Sequence, residues 1–126
     1  MARQKSHLLK LMKQPEKNLY ETTIEDCRKW FDIINREIFD GCLDPIEDID
    51  IRWRRGTHAY YEYYKCRCLP PRLRLNKKYK SKQYFVAVLA HEMVHHHQHL
   101  FGEPVGHGIY FSRWEKKFKQ KGLTLA

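Results

Sequence analysis

A chain of 126 residues is long enough for one domain with a modest core, and no Pro/Gly/Ser-rich linker divides it. An apolar fraction of 42% and an aromatic fraction of 13% exclude a disordered chain; no apolar run approaches the ~20 residues of a bilayer span. The net charge of +9 is unevenly spread, with −7 over residues 21–51 and +10 over residues 52–82. This pattern predicts a basic face suited to a polyanion, nucleic acid before others.

The first residues lack the apolar core of a secretory signal, which predicts a cytoplasmic protein of a bacterium or a phage-infected host, or a nuclear one if eukaryotic. Its four cysteines, Cys27, Cys42, Cys66 and Cys68, are accordingly expected as reduced thiols.

Residues 1–20 read as a basic arm, with a short helix over 6–13 that stops before Pro15. Residues 21–126 read as the domain. There, Thr22 and Glu25 form a capping box for a helix whose Ile24, Cys27, Phe31, Ile34 and Ile38 recur at helical spacing until Asp40-Gly41. Ile49-Asp50-Ile51-Arg52-Trp53 alternates as a half-buried strand does, residues 59–65 are rich in β-prone tyrosine, and Leu73-Arg74-Leu75-Asn76 follows Pro70-Pro71. Together these predict a small antiparallel three-stranded sheet. Ser81 is placed to cap a long helix that Gly102 ends, and a last helix over 109–121 uses Ile109, Phe111, Trp114 and Phe118 before Gly122.

The long helix contains His91-Glu92-Met93-Val94-His95. Helix residues four apart share a face, so this HExxH sequence presents two imidazoles side by side, with Glu92 next to the first. Catalytic zinc needs three protein ligands and an open position for water, whose proton the glutamate can take. The pattern has only three fixed positions and also arises by chance on ordinary helices, so the third ligand decides its meaning.

His99 fails as that ligand. It lies about 12 Å along the axis from His91, whereas two nitrogens on one zinc are within about 4 Å of each other. The metzincin positions hold Gln98 and Phe101, which excludes that class. Two candidates remain. His107 lies between Gly106 and Gly108, where the backbone can approach a metal closely, and Glu115 lies among Arg113, Lys116 and Lys117 on the last helix.

Further elements accompany the motif. Gly106-His107-Gly108 with Phe111 makes an HGxxF element, residues 35–43 close on Phe39-x-Gly41-x-Leu43, and Leu73-Arg74-Leu75-Asn76 precedes the motif helix. With the HExxH, these resemble the SprT-like metallopeptidase domain of the SprT/Spartan family over roughly residues 21–122. The resemblance implies His91, His95 and His107 as ligands of one zinc ion and Glu92 as general base. It also implies an α+β minimal zincin-like fold with the motif on a central helix and, in better-known relatives, proteolysis of proteins crosslinked to DNA. Many relatives add a zinc ribbon or a DNA-binding tail; here the basic and aromatic surface would serve instead.

The expected function is therefore zinc-dependent peptide hydrolysis by a monomer with no membrane partner. Its protein substrate would be brought by DNA, single-stranded in preference, held on Arg52, Arg54, Arg55, Arg72, Arg74, Lys77 and Lys78. His58, Tyr60 and Tyr61, at the strand expected beside the site, are the candidate donors for the oxyanion. The alternative is a non-catalytic, zinc-stabilised DNA-binding or adaptor module, which has no use for Glu92.

Overall fold

The computed structural model describes residues 6–56, 58–66 and 68–126. Elements follow in the order α1 (His7–Met12), β1 (Tyr20–Glu21), α2 (Ile24–Ile38), β2 (Asp48–Arg52), β3 (Ala59–Glu62), β4 (Arg72–Asn76), β5 (Lys78–Tyr79), α3 (Lys82–Leu100) and α4 (Ile109–Lys119). The architecture is α+β.

Ser6 caps α1 by accepting from the Leu9 amide at 3.0 Å. Leu8 and Leu11 are buried in the core, so this segment of the basic N-terminal stretch packs on the rest. Glu37 of α2 holds it there, accepting from Ser6 Oγ at 2.7 Å, His7 N at 2.8 Å and Leu8 N at 3.2 Å.

The cap of α2 sits one residue later than the sequence pattern places it. Thr23, in extended backbone, accepts from the Asp26 amide at 3.1 Å, while Thr22 Oγ1 donates to Asn76 O at 2.7 Å. The reason is tertiary. Thr22 is pulled towards β4 by the pairing of β1 with β5, which leaves Thr23 to satisfy the first turn. At the other end Asp40 (φ 54°) and Gly41 (φ 74°) turn left-handed, and the Gly41 amide returns to Asn35 O at 2.8 Å. The buried Asn35 side chain secures this turn by bonding both Leu43 O (3.0 Å) and Leu43 N (3.1 Å).

The three-stranded sheet is mixed, not antiparallel throughout. Its order is β2-β4-β3, with β3 antiparallel to β4 and β2 parallel to β4. The connection after β2 carries the chain past the place that β4 later fills. Each of the next two strands reverses direction, so β4 re-enters parallel to β2. Leu73 and Leu75 of β4 are 1% and 0% exposed and face the core, each contributing about 1.5–3 kcal/mol of burial. Arg72 and Arg74 point to the other face.

Helix α3 is the central element. Ser81 caps it, accepting from the Tyr84 amide at 3.1 Å, and residues 85–90 are buried without interruption between α2, the sheet and α4. A helix enclosed in this way brings its polar residues into the interior as well, which is why His95, His96, Glu92 and Gln98 are buried. Helix α4 ends at Gly122 (φ 79°), where the Leu123 amide bonds Phe118 O at 3.1 Å.

The expectation of four reduced cysteines is corrected for one pair. Cys66 and Cys68 are joined by a disulfide, since the turn between β3 and β4 brings their Cα atoms to 5.2 Å, within bridging range. Cys27 and Cys42 are free.

Candidate metal centre

One helical turn of α3 places His91 and His95 side by side, and the loop after Gly102 returns His107 to them. His91 Nε2 lies 3.2 Å from His95 Nε2 and 3.1 Å from His107 Nε2. Three nitrogens around a tetrahedral ion at 2.0–2.1 Å are separated by about 3.3 Å, so the spacing fits one shared metal. These three histidines form a group that can hold a metal ion, and Glu115 is not part of it among the described residues.

Phe111, 4% exposed, supports the cluster from α4. Its ring centroid lies 4.9 Å from those of His91 and His107 and 5.4 Å from that of His95. The HGxxF spacing thus has a physical basis. Gly108 starts α4, accepting from the Ser112 amide at 3.0 Å, and the first turn of that helix carries Phe111 under the imidazoles.

Burial, then the charges His95 and His107 would carry, lower the His91 pKa to about 4, against the raising effect of a hydrogen bond to the Ala126 backbone. Burial also lowers that of His95, opposed by its bond to Gln98. Both rings are therefore neutral at pH 7, the form that binds metal. Glu92 is 8% exposed, and burial alone raises its carboxyl to about 7. No hydrogen bond ties it to any other described residue.

In the sequence Gln98 stands out only as a residue that does not match the metzincin pattern. In the fold it is 1% exposed, with Oε1 3.0 Å from His95 Nδ1 and 3.1 Å from Gly106 N, and Nε2 3.0 Å from Gly106 O. Glutamine three residues after a ligand has no motif signature, so only the folded contact reveals it.

The remaining histidines of α3 have other partners. His96 Nε2 bonds Asp44 O and its Nδ1 bonds the Tyr61 hydroxyl, both at 2.7 Å, which ties α3 to β3 and to the turn after α2. Tyr61 is thereby engaged away from the metal group; its pKa is raised by burial and then by Tyr63. His97 pairs with Glu103 at 3.0 Å and packs on Phe39, Phe101 and Trp114. His58 accepts from, or donates to, the Tyr84 hydroxyl at 2.9 Å, and Tyr60 is exposed.

The basic block has a different appearance in space than in sequence. Parallel pairing sets Asp48 beside Arg72 and Asp50 beside Arg74. Arg72 meets Asp48 at 2.7 Å, Arg74 meets Glu62 at 2.6 Å, and Arg52 and Arg54 both reach Asp50, at 3.0 and 2.9 Å. Four of the seven cations expected on a polyanion surface thus lie in ion pairs with carboxylates of β2 and β3. An open cleft of about 720 Å³ is lined by Trp53, Arg54, Arg55, His58, Lys78, Lys80 and Tyr84 among others, and no carboxylate lines it among the described residues. No helix among the described residues is long and apolar enough to cross a membrane.

No curated protein matches the chain in sequence. The profile of the SprT-like family matches residues 27–125, from the first turn of α2 past α4, and so takes in both parts of the histidine cluster. The chain belongs to the SprT-like family, which suggests an enzyme of metallopeptidase type and accords with three histidines that could hold a metal ion.

Proposed function

We propose that this protein is a zinc peptidase that hydrolyses peptide bonds, with His91, His95 and His107 holding the ion and Glu92 acting as general base. The observation that carries the reading is Glu92. It is a buried carboxyl on the helix turn that bears two of the imidazoles, and no described residue bonds it. Burial raises its carboxyl to about 7; a structural metal site gains nothing from such a group, whereas a hydrolytic site needs a base.

Three imidazole nitrogens converging on one point suit zinc. When bound, zinc supplies a Lewis acid that polarises the scissile carbonyl and acidifies water, and its charge favours the ionised form of Glu92. Glu92 takes the proton of the attacking water on a carboxylate oxygen and returns it to the leaving amine nitrogen. Phe111 and the buried faces of α3 and α4 hold the imidazoles in place and keep bulk water from the inner side of the site.

The reading extends to proteins bound to or crosslinked with DNA. Its support is the cleft beside the start of α3, where Trp53 is 70% exposed and Lys80 Nζ lies 4.5 Å from the Tyr84 ring centroid. Exposed aromatic faces stack unpaired bases while Arg55, Lys78 and Lys80 meet phosphates. The test is cleavage of casein, or self-cleavage, measured with and without chelator and single-stranded DNA. Chelation should abolish cleavage, zinc should restore it, and DNA should accelerate it. Cleavage that survives complete zinc removal overturns the peptidase mechanism; indifference to DNA removes the extension alone.

A further inference from the structure

The amide of Gln98 joins two parts of the histidine cluster that are distant in sequence. Its orientation is fixed by the backbone: Gly106 N–H can only donate, so it faces Oε1, and Gly106 O can only accept, so it faces Nε2. Oε1 is therefore the atom 3.0 Å from His95 Nδ1. An amide oxygen only accepts, so the His95 proton sits on Nδ1 and the lone pair on Nε2, the atom turned towards His91 Nε2 at 3.2 Å. The paired bonds to Gly106 act one residue before His107. They anchor the loop to α3 at the residue preceding the third imidazole, assisted by the Glu103 amide on Gln98 O at 2.8 Å.

We propose that Gln98 is the positioning residue of the metal centre, holding His95 in its Nδ1–H tautomer and fastening the Gly106-His107 segment so that the third nitrogen is in place before metal arrives. The proposal rests on the metal-centre reading. Its chemistry is that of partners behind metal ligands in general, which orient an imidazole and prevent it from presenting the wrong nitrogen. Here one side chain does this for one ligand and sets the backbone of another. At 1% exposure water does not replace it.

The test uses the full chain with two variants. Gln98→Met keeps the length and apolar stem but removes every hydrogen bond; Gln98→Glu keeps an acceptor for His95 and for the Gly106 amide and loses the donor to Gly106 O. The readouts are the His95 tautomer in zinc-free protein, from imidazole nitrogen NMR shifts, and zinc affinity by competition with a chromophoric chelator. Wild type should show the Nδ1–H tautomer. Gln98→Met should show a mixture and bind zinc about 10- to 100-fold more weakly, and Gln98→Glu should keep the tautomer and recover part of the affinity. A purely structural Gln98 would shift thermal stability and leave tautomer and affinity alone, which overturns the proposal. An Nε2–H tautomer in wild type overturns it without any variant. Wild type that takes up no zinc overturns the metal centre itself, a failure seen before any variant is compared.

Discussion

Replacing Glu37 with glutamine tests how the N-terminal helix is held. The Glu37 carboxylate, near the end of α2, receives the Ser6 hydroxyl at 2.7 Å and the His7 and Leu8 amides at 2.8 and 3.2 Å, with His7 Nδ1 at 3.1 Å. It is thus an anion at the N-terminus of α1, where backbone N–H groups lack helical partners. Hydrogen bonds to a charged group contribute about 1.5–3 kcal/mol and neutral ones about 0.5–1.5. Glutamine keeps one acceptor but turns an NH₂ group towards donors, so the expected loss is about 1–2 kcal/mol at pH 7. For a domain of this size, that lowers Tm by about 3–8 °C.

The pH dependence gives a second constraint. Burial acts to raise the Glu37 pKa, but the bonds from Ser6, His7 and Leu8 outweigh it and hold the carboxyl below its ordinary value. A depressed folded pKa means that the stabilisation is fully present above the unfolded glutamate pKa of about 4.3 and is lost as pH falls through the folded value. Urea unfolding of wild type and Glu37→Gln at pH 7 and pH 3 should show a gap that closes in acid. Equal midpoints at pH 7, or a gap unchanged at pH 3, would refute this account of α1.

Further outcomes follow from other contacts. Phe111→Ala removes the ring beneath three imidazoles and should cost about 3–5 kcal/mol in chemical denaturation, with weaker zinc binding in competition assays. A variant that keeps wild-type zinc affinity would show that the ring only fills space. Asn35→Ala leaves Leu43 N and O without their buried partner and should destabilise by about 2–3 kcal/mol, read as a lower urea midpoint with the m-value preserved. Replacing Lys78 and Lys80 together by alanine should flatten the dependence of log K for single-stranded DNA on log salt by about 1.4, at about 0.7 per phosphate contact. An unchanged slope would place nucleic acid elsewhere.

What was legible in the sequence was local. The apolar spacing of Ile24, Cys27, Phe31, Ile34 and Ile38 and the uninterrupted run after Ser81 define α2 and α3, since a helix is written within one segment. The histidine pair was legible for the same reason, and the His107 setting between two glycines marked a close backbone approach. Sheet order was not, because the parallel pairing of Asp48 with Arg72 joins residues 24 apart and leaves no periodic trace. The same pairing explains the basic face. Asp48 and Asp50, at the end of the −7 block, neutralise Arg72 on the adjacent strand and Arg52 and Arg54 close by in sequence. Thr22 does not cap α2 because its hydroxyl goes to Asn76 O of β4, and the Gln98 clasp leaves no motif because two of its bonds reach Gly106, on a loop eight residues away.

The central claim is that a zinc held by His91, His95 and His107 works with Glu92 to cut peptide bonds. Its most direct test is Glu92→Gln, nearly equal in shape, compared with wild type for zinc content and casein cleavage. Both proteins should carry one zinc per chain, and the variant should cleave at least about a hundredfold more slowly. Cleavage within a few-fold of wild type by the zinc-loaded variant would contradict the account.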